Sequence, residues 1–358
     1  MNLAQFANKE TKTVDYEALK ETVRVGVRMQ DNVIDATPYF LEENKVQALG
    51  ERRVGLGVMG LADLLIYCEK EYGSDEGNVL VEEIFKTIAT AAYETSAKLA
   101  AERGSFPFLT GETEEETKRL RKAFTETGFM KSMPEEIKNS ILENGIRNSH
   151  LLTVAPTGST GTMVGVSTGL EPYYSFTYYR SGRLGKFIEV KADIVQEYLG
   201  LNETAEEENL PSWFVTAMEL APEAHADVQC IIQRWIDSSI SKTVNAPRGY
   251  TVEQVEGVYE RLYRGGAKGG TVYVDGSRDS QVLTLKAEEN TLDDHPKEER
   301  VEKSHVVLID TIQDLRSTNV TIGSEVGNTC PVCRKGTVEA MGGCNTCTNC
   351  NAQLKCGL

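Results

Sequence analysis

Apolar residues recur with the spacing of an amphipathic helix along much of the 358-residue chain. The first such stretch covers residues 14–35, where Asp15 stands in position to cap the first turn. Its apolar face is formed by Leu19, Val23, Val27 and Ile34. The same period appears at 71–103, 112–146 and 251–264, and the second of these is highly charged. The pattern therefore predicts a chain rich in packed helices, with residues 112–146 on the outside of the fold.

Short apolar runs alternate with these helices and predict buried strands. His150–Ala155 (HLLTVA) is one, and residues 52–63 (RRVGLGVMGLAD) form a strand that enters a helix. A further strand follows Gly269 and ends in a turn at Asp275 and Gly276. Repeated strand-then-helix units of this kind predict an α/β fold with a largely parallel sheet.

A glycine motif and a histidine could each indicate a ligand site, but a purely structural role is favoured for both. Gly55, Gly57 and Gly60 stand in G-x-G-x-x-G order. A dinucleotide site would require a second strand soon afterwards, whereas residues 71–103 are helical in pattern. His225 lies near the start of another helical stretch and is interpreted as a capping or packed side chain rather than a ligand.

The strand at 150–155 runs directly into a loop suited to hold an anion. The loop residues are Pro156, Thr157, Gly158, Ser159 and Thr160, followed by Gly161 and Thr162. Hydroxyl groups, flexible glycines and free backbone N–H groups can together bind phosphate or carboxylate, and residues 163–166 are expected to open a helix. The loop is not a Walker A loop, because no lysine follows the glycine. An ordinary turn rich in serine and threonine is the alternative.

Composition and charge narrow the class of protein. The chain has 40% apolar and 26% charged residues, as expected of a soluble globular protein. A net charge of −16 argues against nucleic-acid and anionic-membrane partners, which need a basic face. No apolar run approaches the roughly 20 residues of a membrane span, and the first residues lack the apolar core of a signal peptide. A cytoplasmic location is expected.

Six of the eight cysteines lie at or after position 330. The other two, Cys68 and Cys230, are expected to be small core residues. In a cytosolic chain such clustering indicates metal or thiol redox chemistry rather than structural disulfides. The spacing C-x2-C-x13-C-x2-C is that of a zinc ribbon, in which Zn²⁺ is held by Cys330, Cys333, Cys347 and Cys350. The alternatives are a metal-free disulfide and a ligand set in which Cys344 replaces Cys350.

Several sequence blocks resemble those of ribonucleotide reductases, especially the adenosylcobalamin-dependent class II enzymes. The longest is RNSHLLTVAPTGST followed by GLEPYYSFTYYR, which resembles the phosphate-binding loop of that family. DNVID, RRVGLGVMG, AERGSFPF and an H-x3-Q-x3-Q-x3-D-x3-SKT-x-N-x-P block also occur, in the same order. The resemblance implies that residues 1–285 form the second half of a ten-stranded α/β barrel. A polar linker at 286–328 and a zinc ribbon with a redox tail at 329–358 would follow.

The resemblance also implies a reaction and its partners. These enzymes reduce ribonucleoside di- or triphosphates to 2′-deoxyribonucleotides with a thiyl radical, so residues 156–160 are expected to hold the substrate phosphates. Adenosylcobalamin is the implied cofactor. The last barrel strand has Tyr273 followed by Val274 instead of the two adjacent tyrosines of a class I radical relay, which fits class II. The family's C-terminal shuttle implies that Cys344 and Cys356 exchange electrons with thioredoxin or glutaredoxin.

The groups that perform the radical step are not found in this sequence. The N-x-C-x-E loop that carries a cysteine and a carboxylate in the family occurs nowhere from residue 1 to 358. We therefore expect a split ribonucleoside-diphosphate reductase whose N-terminal half is a separate polypeptide. This chain alone would be inactive, and its unpaired edge strands would make it aggregate or need its partner. The alternative is a non-catalytic nucleotide-binding regulatory or scaffold protein that uses its zinc ribbon to bind another protein.

Overall fold

The computed structural model describes residues 1–181, 187–202, 204–206, 209–277, 283–284, 325–331, 333, 335–341, 344–350 and 353–356. Residues 1–290 and 291–358 form two compact units, which are described separately. The predicted linker at 286–328 lies outside the described residues except for its last four positions. The predicted domain boundaries therefore stay predictions.

Helices make up about half of the described part of the first unit. They are α1 (Tyr16–Ala36), α2 (Glu42–Glu51), α3 (Leu61–Tyr67), α4 (Asp75–Arg103), α5 (Glu114–Thr125), α6 (Glu135–Asn144), α7 (Gly158–Met163), α8 (Asp193–Leu201), α9 (Pro222–Gln233) and α10 (Val252–Arg264). Short 3₁₀ helices cover Leu3–Phe6, Pro107–Leu109 and Met130–Ser132. No helix in the described ranges is long and apolar enough to cross a membrane.

Helix α1 forms where the apolar period predicts it. The Asp15 carboxylate accepts a hydrogen bond of 2.9 Å from the Ala18 N–H and caps the first turn. The predicted apolar face is buried, and α1 packs against α4 through it. The stretches at 71–103, 112–146 and 251–264 likewise contain α4, α5 with α6, and α10. The helical predictions are therefore confirmed in type and approximate position.

The strands fall into small sheets. In the first unit they are β1 (Ala7–Asn8), β2 (Thr13–Val14), β3 (Thr177–Ser181), β4 (Phe187–Lys191), β5 (Thr243–Ala246), β6 (Thr271–Val274) and β7 (Leu283–Thr284). Strands β5 and β6 are parallel, with Thr243 opposite Thr271. Strands β1 and β2 pair antiparallel, and β4, β3 and β7 form an antiparallel sheet in that order.

Parallel pairing continues through single bridges between more distant segments. Leu56 pairs with Leu152, and Val154 pairs with Ile240, both in parallel orientation. The segments near residues 56, 152, 240 and 271 therefore lie side by side in that order, as predicted for a parallel sheet. Gly57 permits the first of these contacts, since a Cβ there would lie 2.8 Å from the Thr153 carbonyl oxygen.

The fold class is confirmed only in part. Helices and parallel segments alternate as expected of an α/β chain, but the described residues form no closed barrel. The prediction of a largely parallel sheet is wrong for residues 177–191, where β3 and β4 pair antiparallel. Only five residues separate these two strands, and a parallel pair needs a crossover of a dozen residues or more.

A mostly buried polar network joins α1 to the residues that precede the extended segment at 150–155. The Arg52 Nε donates to Asp31 at 2.9 Å, and the Arg52 Nη1 donates to Asp35 at 2.7 Å. The Asn148 amide donates to the same Asp31 carboxylate at 3.0 Å. Bonding to Arg52 lowers the pKa of Asp35 from its usual value. Asp31 and Asp35 lie in the DNVID block and Arg52 in the RRVGLGVMG block, so both blocks act here as framework.

The second unit contains a small antiparallel sheet in the order β10, β9, β8. Its strands are β8 (Val338–Met341), β9 (Cys344–Cys347) and β10 (Gln353–Cys356). Val338 is opposite Cys347, and the backbone of Cys344 is opposite that of Cys356. Its described core is small and consists of Cys330, Val338 and Cys347, with Cys333 and Leu354 packed against them.

Candidate functional site

The extended segment at 150–155 leads into the predicted anion-binding loop and is anchored by one carboxylate. It was predicted as a strand, but the structure shows single parallel bridges there, at Leu152 and Val154, and no continuous strand. Leu151 and Leu152 are fully buried. The Asp237 carboxylate accepts hydrogen bonds from the Leu151 N–H at 2.7 Å and from the Leu152 N–H at 3.0 Å. The Tyr93 hydroxyl donates to the same carboxylate at 2.8 Å. Asp237 lies in the segment after α9, so this segment sets the position of residues 150–155 and of the loop after them.

The anion loop, residues 155–162, turns at Thr157. Thr157 has a left-handed backbone with φ +47°, and α7 begins at the next residue. The Gly161 N–H donates to the Thr157 carbonyl oxygen at 2.7 Å and closes the first turn. The prediction that a helix opens at residues 163–166 is therefore wrong. The helix forms earlier because Thr157 already makes the turn that the loop was expected to provide.

The predicted site residues Gly158, Ser159 and Thr160 form the first turn of α7 and are exposed. The first N–H groups of a helix have no acceptor within it. Among the described residues, none accepts a hydrogen bond from the N–H groups of these three. Free N–H groups and hydroxyls that share one turn can bind an anionic oxygen.

The other two predicted site residues, Pro156 and Thr157, differ from each other in exposure. Pro156 is exposed, whereas Thr157 is partly buried. The Thr157 Oγ1 accepts a hydrogen bond of 2.8 Å from the Gly169 N–H. Thr157 therefore closes the loop onto the residues that follow it.

Residues 167–173, the return limb, are tied to three separate elements. The Asp63 carboxylate of α3 accepts hydrogen bonds from the Ser167 N–H at 2.8 Å and from the Tyr173 hydroxyl at 2.6 Å. The buried Tyr72 hydroxyl donates to the Leu170 carbonyl oxygen at 2.6 Å. Burial, followed by the nearby Asp63 charge, raises the pKa of Tyr173. The phenol therefore stays protonated and remains a donor to Asp63.

The third contact of the return limb is an ionic cluster around the buried Lys242, which the sequence did not reveal. The Glu171 Oε1 accepts from the Thr243 N–H at 2.7 Å, and Lys242 Nζ donates to Glu171 Oε2 at 2.8 Å. Lys242 Nζ also lies 3.0 Å from His225 Nδ1. The only sequence signal was that these residues stand in the GLEP and SKT blocks, because their pairing depends on the tertiary fold.

His225 is a packed residue, as predicted. It is fully buried, and its Nε2 lies 2.9 Å from the Ala217 carbonyl oxygen. A carbonyl oxygen can only accept, so Nε2 carries the proton and Nδ1 accepts from Lys242. Burial and the adjacent Lys242 charge lower the pKa of His225 to about 3. The imidazole is therefore neutral at physiological pH.

The predicted core cysteines are confirmed as buried residues of the first unit. Cys68 and Cys230 are 2% and 6% exposed. Burial raises the pKa of Cys68 to about 11 and also raises the pKa of Cys230. Neither thiol therefore has the thiolate character of a redox group.

Four cysteines of the second unit converge on one point. The sulfur atoms of Cys330, Cys333, Cys347 and Cys350 all lie within 4.8 Å of one another. The Cys330–Cys350 and Cys333–Cys347 sulfur distances are 3.8 and 3.6 Å. A tetrahedron with Zn–S bonds of about 2.3 Å has sulfur–sulfur edges of roughly 3.8 Å. The donor set therefore fits a zinc ion in both chemistry and size.

Backbone N–H groups around the cluster favour thiolates. The Gly336 N–H lies 3.5 Å from Cys333 Sγ, and the Cys350 N–H lies 3.5 Å from Cys347 Sγ. Donation from the Gly336 and Lys335 backbone lowers the pKa of Cys333 to about 5. Donation from the Cys350 backbone likewise lowers the pKa of Cys347. Thiolates are the form that binds a metal ion.

The predicted redox couple, Cys344 and Cys356, is described through its backbone. Cys344 and Cys356 are opposite each other in the backbone register of β9 and β10. Their side chains lie outside the described part of the structure. The cluster of four contains Cys350, and the alternative in which Cys344 replaces it stays untested.

Comparison with known proteins identifies the first unit. Residues 1–273 match the model of the ribonucleotide reductase barrel domain. A protein of Mycobacterium tuberculosis named vitamin B12-dependent ribonucleoside-diphosphate reductase is 32% identical over 76% of this chain and 38% of its own length. A protein of the same name from Thermoplasma acidophilum is 32% identical over 79% of the chain and 36% of its own length.

More distant relatives carry a broader name. The ribonucleoside-diphosphate reductase subunit alpha of Chlamydia pneumoniae is 30% identical over 64% of the chain and 25% of its own length. The chain thus spans well under half the length of these curated relatives. The matched residues include the anion loop and its return limb, whereas the four-cysteine cluster lies beyond residue 273.

Proposed function

The chain belongs to the ribonucleotide reductase barrel-domain family, and we propose that it is the phosphate-binding, tail-bearing part of a vitamin B12-dependent reductase. The observation that carries this proposal is the free first turn of α7. There, N–H groups that have no acceptor among the described residues lie beside the hydroxyls of the exposed Ser159 and Thr160 and next to a fixed return limb. The names of two relatives support the cobalamin dependence.

We propose that the substrate is a ribonucleoside diphosphate. The names of all three relatives above specify a diphosphate. Residues 156–160 would hold its phosphates, with N–H groups and hydroxyls donating to the phosphate oxygens. This binding mode needs no basic side chain in the loop, which agrees with the strongly acidic chain.

The radical step belongs to groups that the 358 residues do not include. Reduction at C2′ requires a thiyl radical, two reducing thiols and a carboxylate base. We assign these groups to the N-terminal half of the reductase, whose location on a separate polypeptide stays a prediction. Adenosylcobalamin supplies the initial radical when bound, and no residue of this chain is assigned to it. The role of this chain is to orient the substrate by its phosphates.

We propose that the second unit combines a zinc site with a thiol shuttle. Cys330, Cys333, Cys347 and Cys350 would hold Zn²⁺ and so stabilise a unit whose described apolar core is very small. The thiols of Cys344 and Cys356 would give two electrons and two protons to the active-site disulfide formed in each turnover, and would become a disulfide themselves. A dithiol of thioredoxin or glutaredoxin would then reduce that disulfide.

Reconstitution tests the proposed reaction. The chain is mixed with a candidate N-terminal half, adenosylcobalamin, cytidine diphosphate and dithiothreitol, and deoxycytidine diphosphate is measured by chromatography. Product is expected from the mixture and not from either polypeptide alone. A complex that forms without making product would contradict the enzyme and would favour the regulatory or scaffold alternative.

Replacement of Cys356 by Ser tests the shuttle in the same assay. Turnover driven by thioredoxin is expected to stop, because the tail can no longer form its disulfide. Turnover driven by dithiothreitol should persist, because a small dithiol reaches the active site directly. Equal losses with both reductants would refute the shuttle.

A further inference from the structure

Lys242 is buried beneath the return limb, and each of its three N–H donors has an acceptor. Its side chain is 0% exposed. The Nζ lies 2.8 Å from Glu171 Oε2, 3.0 Å from His225 Nδ1 and 3.1 Å from the Thr243 carbonyl oxygen. An ammonium group has three donors and no acceptor. The lysine is therefore fully satisfied and is held in a single orientation.

Glu171 has little freedom to leave this contact. Its second oxygen accepts from the Thr243 N–H at 2.7 Å. A buried charge that loses its partner is strongly unfavourable, so Lys242 retains the carboxylate. His225 stays neutral and accepts from Lys242, so it neutralises neither charge of the pair. The cluster thus locks residue 171 onto the start of β5.

Glu171 lies only two residues beyond Gly169, which makes the contact that closes the anion loop. Gly169 donates to Thr157 Oγ1 at 2.8 Å. A Cβ at Gly169 would lie 3.1 Å from the Ala155 carbonyl oxygen and 3.3 Å from that of Pro156. The return limb therefore packs directly against the start of the anion loop, and a shift of Glu171 would be transmitted to Thr157.

We propose that Lys242 is a positioning residue for the anion loop, acting through Glu171 to hold Thr157 and the N–H groups of residues 158–160 in the arrangement that binds phosphate. This inference rests on the proposed function. The loop is exposed and would bind phosphate largely through backbone N–H groups. Its backbone conformation must therefore be fixed by contacts with the rest of the fold. A site arranged before the ligand arrives avoids the entropy cost of ordering it. Lys242 would thus favour phosphorylated ligands without touching them.

The test compares a nucleoside with its diphosphate. The full chain and its Lys242→Met variant are titrated by calorimetry with cytidine diphosphate and, separately, with cytidine. For the variant we expect affinity for cytidine diphosphate to fall about tenfold, with affinity for cytidine unchanged. A purely structural role would not change the ratio of the two affinities in a variant that remains folded.

Two further variants keep the test decisive. Lys138→Met is the matched control, because Lys138 is also mostly buried, with 17% of its side chain exposed, and pairs with an acidic residue, Glu135, of its own helix α6. Its affinity ratio should equal that of the unmodified chain. If Lys242→Met fails to fold, Lys242→Met/Glu171→Gln removes the buried charge together with its partly exposed partner and should show the same lowered ratio.

The outcomes separate this inference from the proposed function. If the unmodified chain prefers the diphosphate and the folded Lys242 variants keep that preference, only the positioning role is overturned. If the unmodified chain does not distinguish cytidine diphosphate from cytidine, the phosphate site itself is wrong, and the positioning role falls with it.

Discussion

The anion loop and the four-cysteine cluster are both candidate binding sites, yet the chain builds them in opposite ways. The cluster draws all its donors from a 21-residue span, residues 330–350, and its geometry follows from the spacing of those donors. The loop exposes its polar groups within five residues, but contacts from α3, from Asp237 after α9 and from β5 fix its position. A site encoded locally should depend on its ligand for order, whereas a site supported by the fold should be ordered without one.

Removal of the metal should cause the largest loss of stability. It tests whether the locally encoded cysteine cluster depends on its ligand for order. Structural zinc supplies about 10 kcal/mol or more to small domains at neutral pH, and the described core of the second unit has only five members. We expect one zinc per chain, measured by colorimetric release. We also expect chelation to expose residues 325–358 to proteolysis while the helical circular dichroism of the first unit persists.

Single cysteine variants sharpen the same test. Cys330→Ser should abolish zinc binding, because Cys330 belongs to the cluster of four. Cys344→Ser is the matched control and should retain one zinc per chain. Loss of zinc in the Cys344 variant would instead support the ligand set in which Cys344 replaces Cys350.

The loop region should respond to substitutions far from it in sequence, and Asp237 is the strongest case. Asp237→Asn keeps the shape of a side chain that accepts from two backbone N–H groups and from Tyr93, but places an amide NH₂ where only acceptors fit. We expect a loss of about 3 kcal/mol in the free energy of unfolding, measured by urea denaturation.

Asp227→Asn provides the control for that variant. Asp227 lies on α9 and forms a partly exposed pair with Arg261, at 2.6 Å between Arg261 Nε and Asp227 Oδ1. Exposed pairs contribute roughly 0–1 kcal/mol. Equal destabilisation by the two substitutions would show that Asp237 has no special role in anchoring residues 150–155.

The buried cluster beneath the return limb predicts a dependence on pH. The pKa of His225 is about 3 in the folded chain, below the ordinary value of about 6.5. Between these values the unfolded chain binds one more proton than the folded chain, so stability falls as the pH is lowered. From pH 7 to pH 5 the cost is about 2 kcal/mol.

A histidine variant isolates this contribution from those of the acidic residues. His225→Gln offers an oxygen to Lys242 and an N–H to the Ala217 carbonyl but does not titrate. Its urea unfolding should lose less stability than that of the unmodified chain over the same pH range. Parallel pH profiles for the two chains would contradict a neutral, buried His225.

The same contrast explains what the sequence could predict. The apolar period located α1, α4 and α10, and cysteine spacing identified the four residues that converge, because each signal is local. The start of α7 was misplaced because the left-handed backbone of Thr157 is fixed by its contact with Gly169, twelve residues later. Lys242 and Glu171 were missed because their pairing spans 71 residues and exists only in the folded chain.

The smallest predicted effect is also the most direct test of the loop. Gly158 opens α7, and a Cβ there would meet nothing within 4 Å, so a side chain fits without strain. Gly158→Asp places a negative charge beside the proposed phosphate site, and Gly158→Asn adds a neutral side chain of the same shape. The aspartate should lower affinity for cytidine diphosphate about tenfold relative to the asparagine, with cytidine binding equal in both by calorimetry.

Because the two variants have the same shape and differ in charge, equal affinities for the diphosphate would mean that no phosphate binds near residue 158. The loop would then be an ordinary turn, and the fold's support for it would serve stability alone.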